Sequence, residues 1–323
     1  MDYVSLGRTG VEVSQLCFGT MSFGGDADEA EAGRLYAACR DAGVNFFDCA
    51  DVYSQGRAEE ILGRLIARER DQLVITSKCF NPMGEGLNDR GLNRRHISMA
   101  VEASLRRLGT DRLDLLFLHK WDPNTPLEET LRALEDLVRA GKVVYVGASN
   151  FAAWQIAKAL GVSERHGWNR FQVIQPMYSL VKRQAESEIL PLVAAEGLGA
   201  IVYSPVGGGL LSGKYGSDRK PESGRLLDNR MYATRYGEDW IYRTAADFTA
   251  FAGKLGVHPV SLAVAWAGAH PAVTCPIVGA RNVEQLQPAL NSVEIEMMAE
   301  LRAEIAALSR QPAPATDRLE EAE

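Results

Sequence analysis

The chain of 323 residues has no apolar run of about 18 residues, so no stretch is suited to cross a membrane as a helix. Its opening, MDYVSLGRTG, lacks a basic segment followed by an apolar one, and we therefore expect a cytoplasmic protein with no membrane partner. Cysteine is scarce: Cys17, Cys39, Cys49, Cys79 and Cys275 are odd in number, widely spaced and never arranged as C-x-x-C. That excludes a disulfide framework and a zinc ribbon and points to a reducing compartment. Positive charge is not in excess: 35 Lys and Arg face 42 Asp and Glu, and no basic run is interleaved with aromatics. A nucleic-acid partner is accordingly not expected. Neither the G-x-S-x-G elbow of serine hydrolases nor the G-x-G-x-x-G dinucleotide fingerprint is present.

What is present is a repeat. Short apolar runs at 16–19, 45–48, 73–78, 113–119, 143–149, 173–175, 200–204 and 275–279 alternate with segments of helical period. In one, Leu127, Leu131, Leu134 and Val138 share a face and Gly141 supplies the stop. In another, Asn93 stands at the N-cap, Ile97, Val101, Leu105 and Leu108 form the stripe, and Gly109 follows. Nearly continuous apolar strands alternating with helices predict a parallel sheet covered by helices. Eight units in about 250 residues is the size of a (β/α)8 TIM barrel. We expect one domain over residues 1–310, with a β-hairpin at 2–14 plugging the barrel's bottom and a long loop, 206–240, after strand 7. The charged, proline-bearing segment 311–323 is expected to be a disordered tail.

In a barrel the chemistry gathers at the C-terminal ends of the strands. Here those ends carry Asp48, Asp51 and Tyr53, then Lys78, then His119, then Ser149 and Asn150, Gln175, Tyr203 and Ser204, and Arg281. A tyrosine needs a cation to act as an acid near neutral pH, since its ordinary pKa is about 10; Lys78 would supply it and Asp48 would hold Lys78. His119 would orient a substrate oxygen or share the tyrosine proton. Taken singly, each has a structural explanation: a core histidine, a solvated lysine, carboxylates capping a helix near Ala58. Their joint arrival at one mouth favours proton transfer to or from an oxygen. A lyase using Lys78 as a Schiff base is the alternative from another class, though Asp48 and Tyr53 would then lack a role. His96, His166, His258 and His270 show no ligand spacing, so no metal is expected. GGLLSGK at 208–214 imitates a P-loop, but Tyr215 stands where a magnesium ligand is required, leaving only a phosphate-approaching turn with Lys214 beside it.

The segments LGRTGVEVSQLCFGTMSFG, DCADVYSQGRAEEILG, TSK, LFLHKWDP, GKVVYVGASNF, IQPMYS, YSPVGGGLLSGKY and HPAVTCPIVGARNVEQL, in this order, resemble the aldo-keto reductase family. The resemblance implies an NAD(P)H-dependent carbonyl reductase whose tetrad falls on Asp48, Tyr53, Lys78 and His119, with Tyr53 giving the proton as hydride arrives from the nicotinamide. It further implies nicotinamide contacts from Ser149, Asn150, Gln175 and a stacking Tyr203, and Gly19, Thr20 and Met21 beside the ribose. Ser204, Pro205, Gly207, Leu210 and Lys214 would line the pyrophosphate. Gly279, Arg281 and Gln285 would meet the adenosine phosphate, Arg281 favouring NADPH while NADH stays open. Gly208 and Ala289 depart from the family pattern, which has an arginine and an asparagine there. Substrate, a small carbonyl compound, would be selected by Phe23, Trp121, the 80–93 loop and the 206–240 loop with Tyr215, Tyr232, Tyr236 and Trp240. A redox-sensing, NADPH-binding channel subunit with little turnover is the second reading of the resemblance. Oligomeric state is not legible.

Overall fold

The computed structural model describes residues 1–216, 219, 221, 222, 224–316 (the backbone alone at 225), 318 and 320. Strands β1 (Tyr3–Ser5) and β2 (Glu12–Ser14) pair antiparallel. Eight parallel strands follow: β3 (Cys17–Gly19), β4 (Phe46–Asp48), β5 (Val74–Cys79), β6 (Leu113–Leu118), β7 (Val143–Ser149), β8 (Val173–Gln175), β9 (Gly199–Val202) and β10 (Cys275–Val278). They close in sequence order, β10 pairing with both β3 and β9. The fold is the expected (β/α)8 barrel, and each of the eight apolar runs is one of its strands.

Helices cover the outside because their stripes match the barrel's outer face. Leu127–Arg139 buries Leu127, Leu131 and Leu134. Arg94–Leu108 buries Ile97, Val101, Leu105 and Leu108, with the Asn93 side chain accepting from the His96 amide and Gly109 ending the helix at φ 62°. Inside the barrel a separate apolar cluster of Leu6, Val13, Cys17, Phe46, Leu115, Phe117, Val173, Ile201, Cys275 and Ile277 fills the space. Leu6 and Val13 come from the hairpin, which therefore closes the bottom as expected. Gly147 makes room for this packing: a Cβ there would lie 2.7 Å from the Phe117 ring.

The connection after β9 is not a structureless loop. It holds a 3-10 turn at Gly207–Ser212 and short helices Arg225–Asp228 and Arg230–Arg235; Trp240 already belongs to the helix Asp239–Leu255. Residues 217, 218, 220 and 223 of this connection lie outside the described residues, as do 317, 319 and 321–323 of the expected tail. Within the tail, the Ala313 carbonyl accepts a hydrogen bond from Ser187 Oγ at 2.8 Å. No single described helix is long and apolar enough to cross a membrane.

Candidate active site

Alternation along the strands builds the site. Side chains two apart point the same way, so Phe46 inside the barrel predicts Asp48 above it, and Leu115 and Phe117 predict His119. The same count along every strand produces one ring at the mouth: Gly19, Asp48, Lys78, His119, Ser149, Gln175, Tyr203 and Gly279. The register staggers the first members of this ring: Asp48 is level with Thr76 and Lys78 with Phe117, so Lys78 and His119 each stand two residues further along than the strand before.

Asp48 and Lys78 form a buried ion pair, Nζ to Oδ2 2.6 Å, with side chains 3% and 0% exposed. Thr76 Oγ1 (2.7 Å) and Gln175 Nε2 (2.8 Å) donate to the other Asp48 oxygen, so the carboxylate is fully engaged. Lys78 Nζ also donates to the Cys49 carbonyl at 2.7 Å and to Tyr53 Oη at 3.2 Å. The Tyr53 and His119 rings meet edge-on with centroids 6.2 Å apart. All four residues of the expected tetrad thus converge.

Electrostatics refine the roles. Burial and the neighbouring Lys78 and Lys120 ammonium groups push the His119 imidazole down to about 3, so it is neutral at physiological pH. Asn81 Nδ2 lies 3.2 Å from His119 Nδ1. With the Asn81 amide donating, the ring proton sits on Nε2, where it can be offered to a substrate oxygen. Burial pushes the Tyr53 phenol up to about 12; Lys78 pulls it down, and Asp48 pushes it up again. A cation beside a phenol is expected to lower its pKa, but here desolvation and the neutralising carboxylate win. Burial lowers the Lys78 pKa, yet Asp48 and Tyr53 outweigh it, so the net shift is upward and the amine stays charged.

The segment carrying Tyr53 is braced from behind. Glu59, fully buried, accepts from Ser77 Oγ at 2.5 Å and Arg107 Nε at 2.6 Å. A Cβ on Gly56 would lie 2.7 Å from Arg107 Cδ, so the arginine packs directly on the start of helix Arg57–Ile66. Asp51 does not cap that helix. It is 0% exposed, neither carboxylate oxygen has a well-aligned hydrogen bond, and burial, with Glu59 adding to it, pushes its pKa up to about 7.

The other half of the mouth is more open. Ser149 Oγ donates to the Gln175 carbonyl at 2.9 Å, Asn150 Nδ2 to the His119 carbonyl at 2.9 Å, and Tyr203 Oη to Asn150 Oδ1 at 2.7 Å. Among the described residues the non-glycine positions at positive φ are Ser54, Gln55, Asn150 and Ser204, all just beyond strand ends at this face. Such strain concentrates where a site over-determines the backbone. Gly207, Gly208 and Gly209 turn at φ 61°, 68° and 101°, with Lys214 exposed nearby. Pro205 and Leu210 are buried beneath that turn, Leu210 completely. Gly208 departs from the family pattern for a visible reason: a Cβ there would lie 2.9 Å from the Tyr232 ring. Ala289 is buried in helix Val283–Leu290. Gly279 and Met21 are exposed, whereas Thr20 is buried and its hydroxyl donates to the Asp48 carbonyl at 3.0 Å. Arg281 pairs with Asp26 at 3.0 Å, and its backbone amide donates to Gln285 Oε1 at 3.3 Å. A glycine-rich turn, the exposed Lys214, the half-buried Arg281 and amide-bearing side chains at the strand ends fit an elongated, phosphate-bearing nucleotide.

Three expectations about substrate selection are corrected. Phe23 is 0% exposed, its ring 5.8 Å from Phe18, because the loop after β3 folds inward and its own carbonyl accepts from Ser54 Oγ. It does not line the mouth. Tyr215, Tyr232 and Tyr236 are buried as the core of the long connection instead of standing free to stack on a ligand. Trp240 donates from Nε1 to Glu238 at 2.9 Å and lies under the Arg310 guanidinium, 5.0 Å from its ring. Trp121, two residues after His119 in the chain, is half-buried and edge-on to Phe151 and to Trp154, which is 60% exposed and which the sequence reading does not single out. Asp122 laces the 80–93 loop to this wall by accepting from the Leu92 amide at 2.8 Å and from Thr125 Oγ1 at 2.8 Å.

The profile of the Aldo/keto reductase family matches residues 15–310. An uncharacterized oxidoreductase of Bacillus subtilis is 38% identical over 315 residues, covering 93% of this chain and 94% of the relative. A probable voltage-gated potassium channel subunit beta of Arabidopsis thaliana is 39% identical over 302 residues, covering 91% and 92%. Its namesake from Oryza sativa is 40% identical with the same coverage.

Proposed function

The chain belongs to the aldo/keto reductase family, and on that premise we propose that it is a cytoplasmic enzyme reducing an aldehyde or ketone to the alcohol with NADPH. The observation that carries this reading is the closed set Asp48, Lys78, Tyr53, with its 2.6 Å and 3.2 Å contacts, facing a neutral His119 across one mouth. Nicotinamide, when bound, supplies the hydride that the carbonyl carbon accepts. Tyr53 donates its proton to the carbonyl oxygen. The phenolate so formed lies against the Lys78 ammonium, which stabilises it until solvent restores the proton. His119 offers Nε2–H to the same oxygen and fixes its direction. Ser149, Asn150, Gln175 and Tyr203 would hold the nicotinamide end, with Gly19, Thr20 and Met21 at the ribose. Thr20 would act there through its backbone, since its hydroxyl is engaged by Asp48. Ser204, Pro205, Gly207, Leu210 and Lys214 would bound the pyrophosphate, and Gly279, Arg281 and Gln285 the adenosine end. Trp121 is proposed as part of the substrate wall.

The relatives named as channel subunits favour a second reading, an NADPH-binding subunit with little turnover. A panel of aliphatic, aryl and sugar-derived carbonyl compounds, followed by NADPH and NADH absorbance, separates the two. Multiple turnovers with at least one compound class support the reductase. Tight NADPH binding with no turnover across the panel contradicts it and favours the subunit.

A further inference from the structure

Two carboxylates already hold donors at and just after Arg281, the residue expected to meet the adenosine phosphate. Asp26 Oδ2 lies 3.0 Å from Arg281 Nε, both side chains little more than 40% exposed (47% and 41%). Glu31 Oε1 accepts from the Val283 amide at 3.2 Å, at the start of helix Val283–Leu290. Both anions come from residues 26–31, DADEAE, where the other two carboxylates have separate partners: Asp28 caps helix Glu29–Asp41 and Glu29 pairs with Arg64 at 2.7 Å. Glu31 is further held by Arg34. The loop bearing Asp26 is pinned to β10's end, because Ser22 Oγ donates to the Ala280 carbonyl at 2.7 Å. A guanidinium and a helix N-terminal amide are the donor types a phosphate ester takes. Here each is occupied by an internal anion.

We propose that Asp26 competes with the cofactor's 2′-phosphate for Arg281 and so sets the preference between NADPH and NADH, with Glu31 as a weaker second competitor at the helix start. The inference rests on the reading of Arg281 as the phosphate partner. A 2′-phosphate must displace the Asp26 carboxylate to reach the guanidinium, whereas a cofactor with a free 2′-hydroxyl need not. Removing the carboxylate charge therefore strengthens 2′-phosphate binding alone.

The test is calorimetric titration of the full chain with adenosine 2′,5′-bisphosphate and with AMP, which differ by that phosphate. Asp26→Asn should tighten the bisphosphate about threefold to fivefold, the scale of one solvent-screened ion pair, and leave AMP within about twofold. Glu31→Gln should act in the same direction and less. Arg281→Ala should remove the difference between the two probes. If Arg281→Ala preserves that difference, the phosphate assignment itself fails. If Arg281→Ala removes it but Asp26→Asn leaves bisphosphate binding unchanged or weaker, Asp26 is not a competitor and the proposal is overturned.

Discussion

The two halves of the barrel mouth are built differently. On the β4–β6 side, Asp48, Lys78 and Thr76 form a buried network, joined from β8 by Gln175 and closed by bonds of 2.6 to 2.8 Å. On the opposite side, Asn150 is exposed, Ser204 and Asn150 sit at positive φ, and Arg281 pairs with the solvent-facing Asp26 carboxylate. The difference matches what the proposed function asks of each half. Proton transfer needs fixed geometry and fixed charge, which burial supplies. A nucleotide that enters and leaves needs donors that exchange partners with little loss.

From this contrast, substitutions on the first side should damage stability and chemistry together, and those on the second should damage affinity alone. Lys78→Met leaves Asp48 buried without its counter-ion and should cost about 3–5 kcal/mol in urea unfolding, as well as turnover. A loss below about 1 kcal/mol would show that the pair is not the closed unit described. Arg107→Ala should cost about 1–3 kcal/mol by stranding the buried Glu59, and should lower turnover more than it weakens cofactor binding, because Tyr53 rides on the braced segment.

The pH dependence separates two buried groups of opposite sign. The folded state holds the Asp51 proton up to about 7 against an ordinary 3.8, so its contribution to stability is full below 3.8 and is lost as pH rises through about 7. Asp51→Asn should therefore gain on the wild type between pH 4 and 7, by at most about 1.4 kcal/mol per unit. Equal slopes for the two proteins would remove Asp51 from the account. His119 behaves in reverse: the unfolded chain takes its proton below 6.5 and the folded one only near 3, so stability falls as pH drops across that window. On the open side, Arg281→Ala should change unfolding free energy by less than about 0.5 kcal/mol and weaken NADPH by about 1 kcal/mol, measured by tryptophan fluorescence. A stability loss comparable to that of Lys78→Met would erase the contrast.

The closed half was also the legible half. Strand period turns Asp48, Lys78 and His119 inward at the same end of the barrel, and period is a property of neighbouring residues, so the barrel and the meeting of these side chains are legible in the chain. The loops have no period. Phe23 reads as an exposed aromatic until the loop around it folds inward, and Ser22 finds Ala280 across 258 residues of sequence. The tyrosines at 215, 232 and 236 looked like ligand-stacking groups because nothing local says that they pack under their own connection. Asn81 on His119, Arg107 on Gly56 and Asp26 on Arg281 are likewise meetings between separate elements. The Tyr53 shift is hidden for a related reason: a charge partner is legible in sequence, but the depth of burial that outweighs it is not.

The most direct measurement removes one oxygen from the closed half, the Tyr53 hydroxyl that Lys78 touches. In Tyr53→Phe, the reduction rate with any carbonyl accepted by the wild type should fall by about 10² to 10⁴, while the NADPH dissociation constant stays within about twofold. Turnover within tenfold of the wild type would contradict the assignment of Tyr53 as the proton donor.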